Sequence, residues 1–134
     1  MKKMRMIWQA LRRKIETIAA AEGLTALQMY VLFGIETGEI MNIGGLSREF
    51  NIGHPNASIM CKRLEGAGFI SRDRSSDDER FVVLTLTEKG KSTVKRLRTL
   101  ISKSQNDLIN GRSDDLVKAV EGLKALERIM GDKF

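Results

Sequence analysis

The sequence has one cysteine, one histidine and one proline, and aromatic residues make up only 5% of it. A single cysteine, Cys61, excludes an intrachain disulfide and fits a reducing compartment. One cysteine and one histidine, His54, are too few for a dedicated zinc site, so no metal is expected. The lone proline, Pro55, leaves long stretches free to be helical. Long hydrophobic runs are also missing. The longest, Met29 to Ile35, is far short of the about 20 residues that span a bilayer. Arg12, Arg13 and Lys14 interrupt any secretory hydrophobic segment near the start. A cytoplasmic protein without membrane contact is therefore expected. His54 has no carboxylate or nucleophile beside it in the sequence, and no glycine-rich loop could cradle a phosphate. Enzymatic and nucleotide-binding readings find no support, and no cofactor is expected.

What is present suits one ordinary domain. The chain has 134 residues, 42% of them hydrophobic, which is enough for a core and too many for a disordered chain. Lys and Arg total 23 against 17 Asp and Glu, a net charge of +6 that favours a polyanionic partner. No repeat or linker divides the sequence.

Periodicity then orders the elements. Met4, Ile7, Leu11, Ile15 and Ile18 recur at helical spacing over residues 4–21, with Gly23 as the stop. Residues 25–36 are apolar almost all round, as in a central buried helix. Asn42 can cap a short helix carrying Leu46 and Phe50, and Asn51 suits a left-handed turn residue. A second short helix begins near Gly53 or His54, where Pro55 suits the first turn. Its inner face is Ala57, Met60, Cys61 and Leu64, with Gly66 and Gly68 ending it. The period changes next. Residues 69–72 and 80–86 read as strands around a polar loop, a hairpin with a charged tip. Thr87 can cap a helix over 88–109, and Ser113 one over 113–130. Leu116, Val120, Leu123, Leu126 and Met130 form the last stripe.

Helix, tight turn, helix, hairpin is the order of a winged helix-turn-helix, a mainly α (α+β) fold. The second short helix has the apolar back and polar front that a recognition helix needs. Candidate base contacts are His54, Pro55, Asn56, Ser58 and Ile59; candidate phosphate contacts are Lys62 and Arg63. Asn reads adenine with two hydrogen bonds, and Ile59 can touch a thymine methyl. Arg72, Arg74 and Arg80 on the hairpin are candidates for a minor groove, with Asp78 pairing to hold the wing.

These residues resemble the MarR family of bacterial regulators. The resemblance lies in Leu24-Thr25-Ala26-Leu27-Gln28 and in the run from Leu64 to Ile70. It continues in Asp78-Glu79-Arg80 and in Leu86-Thr87-Glu88-Lys89-Gly90. Two features depart from the family pattern. Gly44 and Gly45 lie in the first helix of the motif, and Gly53-His54-Pro55-Asn56 replaces a Ser/Thr-rich start. The resemblance implies a homodimer on double-stranded DNA, acting as a repressor at an inverted repeat and modulated by a small ligand or oxidant. It also implies dimerisation by residues 1–22 and 88–134 around a DNA-binding lobe of about residues 37–87, the whole being one domain.

Several residues carry two readings. Arg80 serves either the minor groove or a local brace. Cys61 is either a redox sensor or a core residue, and His54 either a pH sensor or a groove contact. Trp8, Tyr30 and Phe33 either line an effector pocket or pack the core. The alternative for the whole chain is a winged-helix adaptor that binds protein and not DNA.

Overall fold

The computed structural model describes residues 1–73, residue 78 and residues 82–131. Arg74 and Arg80 lie outside the described residues. The described elements run α1 (Lys2–Ala20), α2 (Ala26–Thr37), α3 (Ile43–Glu49), α4 (His54–Gly66), β1 (Ile70–Arg72), β2 (Leu84–Leu86), α5 (Glu88–Ile109) and α6 (Ser113–Met130). The chain forms two compact units, Met1–Thr99 and Leu100–Phe134.

In the first unit α2 is the centre. It starts with a reciprocal cap: the Gln28 N–H donates to Thr25 Oγ1 at 3.2 Å, and the Thr25 N–H donates to Gln28 Oε1 at 2.9 Å. Met29, Val31, Leu32 and Ile35 are buried along it. Gly38 ends it with φ +79°, and the Ile40 N–H returns to the Gly34 carbonyl at 2.9 Å. Along α1 only Ala19 is buried, so its apolar stripe lies open to solvent.

The helix-turn-helix follows from four local choices. Asn42 caps α3 by accepting the Gly45 N–H at 2.7 Å. Asn51 takes the left-handed conformation, φ +49°, as its side chain suggested. Ser47 closes the turn twice: its hydroxyl donates to the Ile52 carbonyl at 2.6 Å, and its carbonyl accepts the Ile52 N–H at 3.1 Å. Gly53 precedes α4 and Pro55 sits in its first turn. Nothing in the structure requires glycine at positions 44 and 45, where a Cβ would lie in ordinary or slightly tight contact.

The hairpin is shorter than the sequence pattern suggests. Ile70, Ser71 and Arg72 pair antiparallel with Leu86, Thr85 and Leu84. Phe69 lies outside the strand, where its carbonyl accepts the Thr87 N–H at 3.1 Å instead of a ladder bond. On the returning side Val82 and Val83 are not strand, although the Asp73 N–H still reaches the Val83 carbonyl at 2.9 Å. The Leu84 N–H donates to the Met41 carbonyl at 2.8 Å, which ties the hairpin to the segment entering α3.

The join between hairpin and α5 explains the Leu-Thr-x-x-Gly pattern. Thr87 Oγ1 accepts the Gly90 N–H at 3.0 Å and donates to the Gly68 carbonyl at 2.5 Å. Gly90 lets the helix press on the strand: a Cβ there would stand 2.0 Å from the Phe69 carbonyl oxygen. Two arginines then fasten α5. Arg96 grips Glu22 through Nε (2.7 Å) and a terminal nitrogen (3.1 Å), which holds the Glu22 carboxyl below its ordinary pKa. Arg98 pairs with Glu36 and lies 4.7 Å over the Phe33 ring.

In the second unit α6 has no buried residue, and its apolar stripe is open. Ser113 does not cap it. Arg112 is the residue before the helix, no side chain caps it, and Ser113 is its first helical residue. Asp114 and Asp115 stand in the first turn, where they favour the helix dipole.

The close approach at Gly90 gives a direct test. Gly90→Ala should destabilise the protein by about 1–3 kcal/mol or more, because backbone cannot yield as a flexible side chain can. Gly66→Ala, placed in open space, should instead be neutral or stabilising by up to about 1 kcal/mol. Thermal unfolding of both variants decides; equal midpoints would contradict the packing account.

Candidate nucleic-acid interface

The inner face of α4 is dry. Ala57, Cys61 and Leu64 are 0%, 0% and 1% exposed. Met60 is only half-buried and stands at the edge of this face, one residue and about 100° round the helix from Cys61. Helical geometry then sends the opposite residues outward. His54, Pro55, Asn56, Ile59, Lys62 and Arg63 are exposed, and Ser58 is half-buried. The sequence-predicted base and phosphate residues thus share one helix, with all but Ser58 open to a partner. The short residues occupy the N-terminal turn, and the two long cations follow in later turns.

Charge is less simply placed than the total suggests. Residues 37–87 contain six basic and seven acidic side chains, whereas residues 1–20 contain six basic and one acidic. The helix-turn-helix lobe therefore has no bulk attraction for a polyanion. Any such contact relies on which side chains face outward, not on net charge.

Arg72 does not face outward. The sequence reading set Arg72 among cations aimed at DNA. Instead its Nε donates to Glu65 Oε2 at 2.9 Å, and its side chain is 9% exposed. The pair spans β1 and the last turn of α4. Asp78 is half-buried. Glu65 was not a candidate from sequence. Its only signal was an acid at the end of an amphipathic helix, seven residues before a basic strand residue.

Cys61 has a buried thiol, pushed up to about 11. Burial is the main cause; Arg72 lowers the value and Glu65 raises it. A thiol so far from its thiolate is a poor nucleophile at neutral pH, which favours the core reading. Among the described residues no group of His, Cys, Asp and Glu could hold a metal ion, and no helix is long and apolar enough to cross a membrane.

Of the three residues expected at an effector pocket, Trp8 and Tyr30 line one groove together with Leu11, Ile15, Leu24 and Leu27. The groove holds about 700 Å³, with Arg12 and Glu16 as its charged members. Phe33 is not part of it; its ring lies under Arg98.

Residues 13–97 match the transcriptional regulator family SarA/Rot. The chain belongs to the SarA/Rot family of transcriptional regulators. Among curated relatives, the HTH-type transcriptional regulator SarZ of Staphylococcus haemolyticus is 31% identical over 101 residues, which cover 73% of this chain and 68% of that protein. The fold is that of the MarR winged-helix proteins. Staphylococcus aureus MarR in complex with salicylate and kanamycin superposes with a TM-score of 0.85 at 20% identity, over 99% of this chain and 91% of that one. A cysteine-to-serine mutant of E. coli MarR, complexed with operator DNA, superposes with a TM-score of 0.74 at 22% identity, over 96% and 91%. A SarA/Rot chain is a DNA-binding regulator by family, and this one has the winged helix-turn-helix on which such binding rests.

Burial of the thiol makes a chemical prediction. At pH 8 the folded protein should react with a small aromatic disulfide reagent at least about 100-fold more slowly than the unfolded chain. Equal rates would place Cys61 outside the core.

Proposed function

We propose that the protein is a homodimeric repressor that binds an inverted-repeat operator with α4 in the major groove. The observation that carries this is the outward face of α4. Asn56, Ile59, Lys62 and Arg63 are all exposed on it; in this proposal Asn56 and Ile59 meet base edges, and Lys62 and Arg63 meet flanking phosphates. E. coli MarR, of the same fold, has been solved with operator DNA, which supports the mode of binding. The wing adds minor-groove contact, for which Arg74 and Arg80 are the candidates.

The dimer has its own support. Met4, Ile7, Trp8 and Leu11 on α1, and Leu116, Val120, Leu123 and Leu126 on α6, are all exposed, from 40% to 66%. Apolar stripes of this extent mark surfaces for a partner. In this proposal residues 1–22 and 88–134 dimerise, residues 37–87 form the DNA-binding lobe, and the whole works as one domain. The two α4 helices then enter successive major grooves about 34 Å apart, and the bound dimer occludes a promoter. The groove beside Trp8 and Tyr30 is the candidate effector site. A ligand there acts only by favouring one of two dimer geometries.

Binding should fall steeply with salt, by about 0.9 in the log–log slope per phosphate neutralised. Lys62→Ala should weaken cognate and random duplex alike and reduce the slope by about one unit per lost contact. Asn56→Ala should spare random duplex and lose about 1–3 kcal/mol on the cognate site. Sedimentation should give a dimer at micromolar concentration. A salt-independent affinity would contradict the DNA reading, and a micromolar monomer would contradict the dimer.

A further inference from the structure

We infer that Arg72 and Glu65 are positioning residues for DNA recognition, forming a brace that sets the recognition helix and the hairpin as one rigid body. The inference rests on the proposed mode of binding.

Four attachments converge on this pair. Glu65 follows Leu64, which is 1% exposed and anchors the last turn of α4 in the core. Arg72 is the last residue of β1 and sits opposite Leu84 of β2. Leu84 is 3% exposed, and its N–H is held by the Met41 carbonyl just before α3. Asp73, next to Arg72, donates its N–H to the Val83 carbonyl at 2.9 Å. The ion pair therefore joins α4 to β1, and backbone bonds carry that join on to β2 and the entrance to α3. At 9% exposure, the Arg72 side chain is not free to meet a phosphate.

Geometry gives the pair its leverage. Glu65 and Asn56 lie at opposite ends of α4, nine residues or about 14 Å apart. A tilt of about 5° at the Glu65 end moves Asn56 by on the order of 1 Å, enough to spoil a two-bond contact with a base edge. A part-buried ion pair adds little net stability, because desolvation and solvent screening offset most of the attraction. Its usefulness is orientation. Arginine suits that task better than lysine, since its planar guanidinium fixes direction as well as charge.

Cys61 supplies a reporter that needs no DNA. It is the only cysteine, it is fully buried on the inner face of α4, and it feels the charges of both Arg72 and Glu65. Loosening the junction between α4 and the hairpin should expose it.

The test compares the parent protein with Arg72→Met, Arg72→Lys and Glu65→Gln. Circular dichroism establishes that each folds, and if Arg72→Met does not, Glu65→Gln carries the comparison. The brace predicts that Arg72→Met and Glu65→Gln both label faster at Cys61, by roughly tenfold. Both should bind the cognate duplex at least roughly tenfold more weakly with an unchanged salt slope. Arg72→Lys should recover part of the loss. Suppose instead that Arg72→Met lowers the slope by about 0.9 per lost contact while Glu65→Gln binds as tightly as the parent or tighter. Arg72 is then a DNA ligand and the brace is overturned. Unchanged labelling and affinity in both variants would also overturn it. If the parent itself shows no duplex binding, the proposed function fails, and the Cys61 rates alone decide the brace.

Discussion

Burial of Ala57, Cys61 and Leu64 fixes the rotation of α4 about its own axis, and the outward face follows from that rotation. Three buried positions at helical spacing leave one way to seat the helix. In that seating Asn56, Ile59, Lys62 and Arg63 are exposed. Asn51 and the Ser47–Ile52 bonds set the angle at which α4 leaves α3. The carbonyls of Met41 and Phe69 hold the hairpin on one side and α5 on the other. Short polar ties thus set the angles between elements whose buried faces, among them Ile40, Ile43, Leu46, Leu64, Ile70 and Leu84, form the core of the lobe.

This arrangement separates two jobs often credited to the same charges. The lobe has nearly balanced charge, and one of its arginines is spent on internal geometry. In the proposed mode of binding, recognition then depends on a few side chains placed by packing, and not on a broad positive field of the lobe. The basic excess is shared by α1, with six basic side chains and one acidic, and α5, with six basic and two acidic. Winged-helix adaptors would show the same fold; the polar and cationic outward face of α4 is what favours DNA.

Much of this was legible in the sequence where a residue's own chemistry dictates local structure. Asn42, Asn51, Pro55 and Thr87 each announced a cap or a turn, and each occupies it. The alternation of apolar positions gave the back of α4, with Met60 at its margin. Less legible were relations between distant residues. Nothing near Glu22 in the sequence points to Arg96, and nothing near Phe33 points to Arg98. Arg72 misled because a cation in a charged hairpin reads as solvent-facing until its partner is seen. Ser113 misled because a good capping residue can equally be the first residue of the helix itself. The returning strand proved shorter because β-branched residues at 82 and 83 satisfy burial, or the Asp73 bond, without extending the ladder.

The central claim is that two copies of α4 read one operator through their outward faces. Hydroxyl-radical and guanine-methylation footprinting on the operator fragment tests it most directly. The account predicts two protected major-groove tracts related by inversion, centred about one helical turn or a small multiple of it apart, with the guanine pattern altered by Asn56→Ala. A single tract, or protection that leaves the major-groove guanines open, would contradict it.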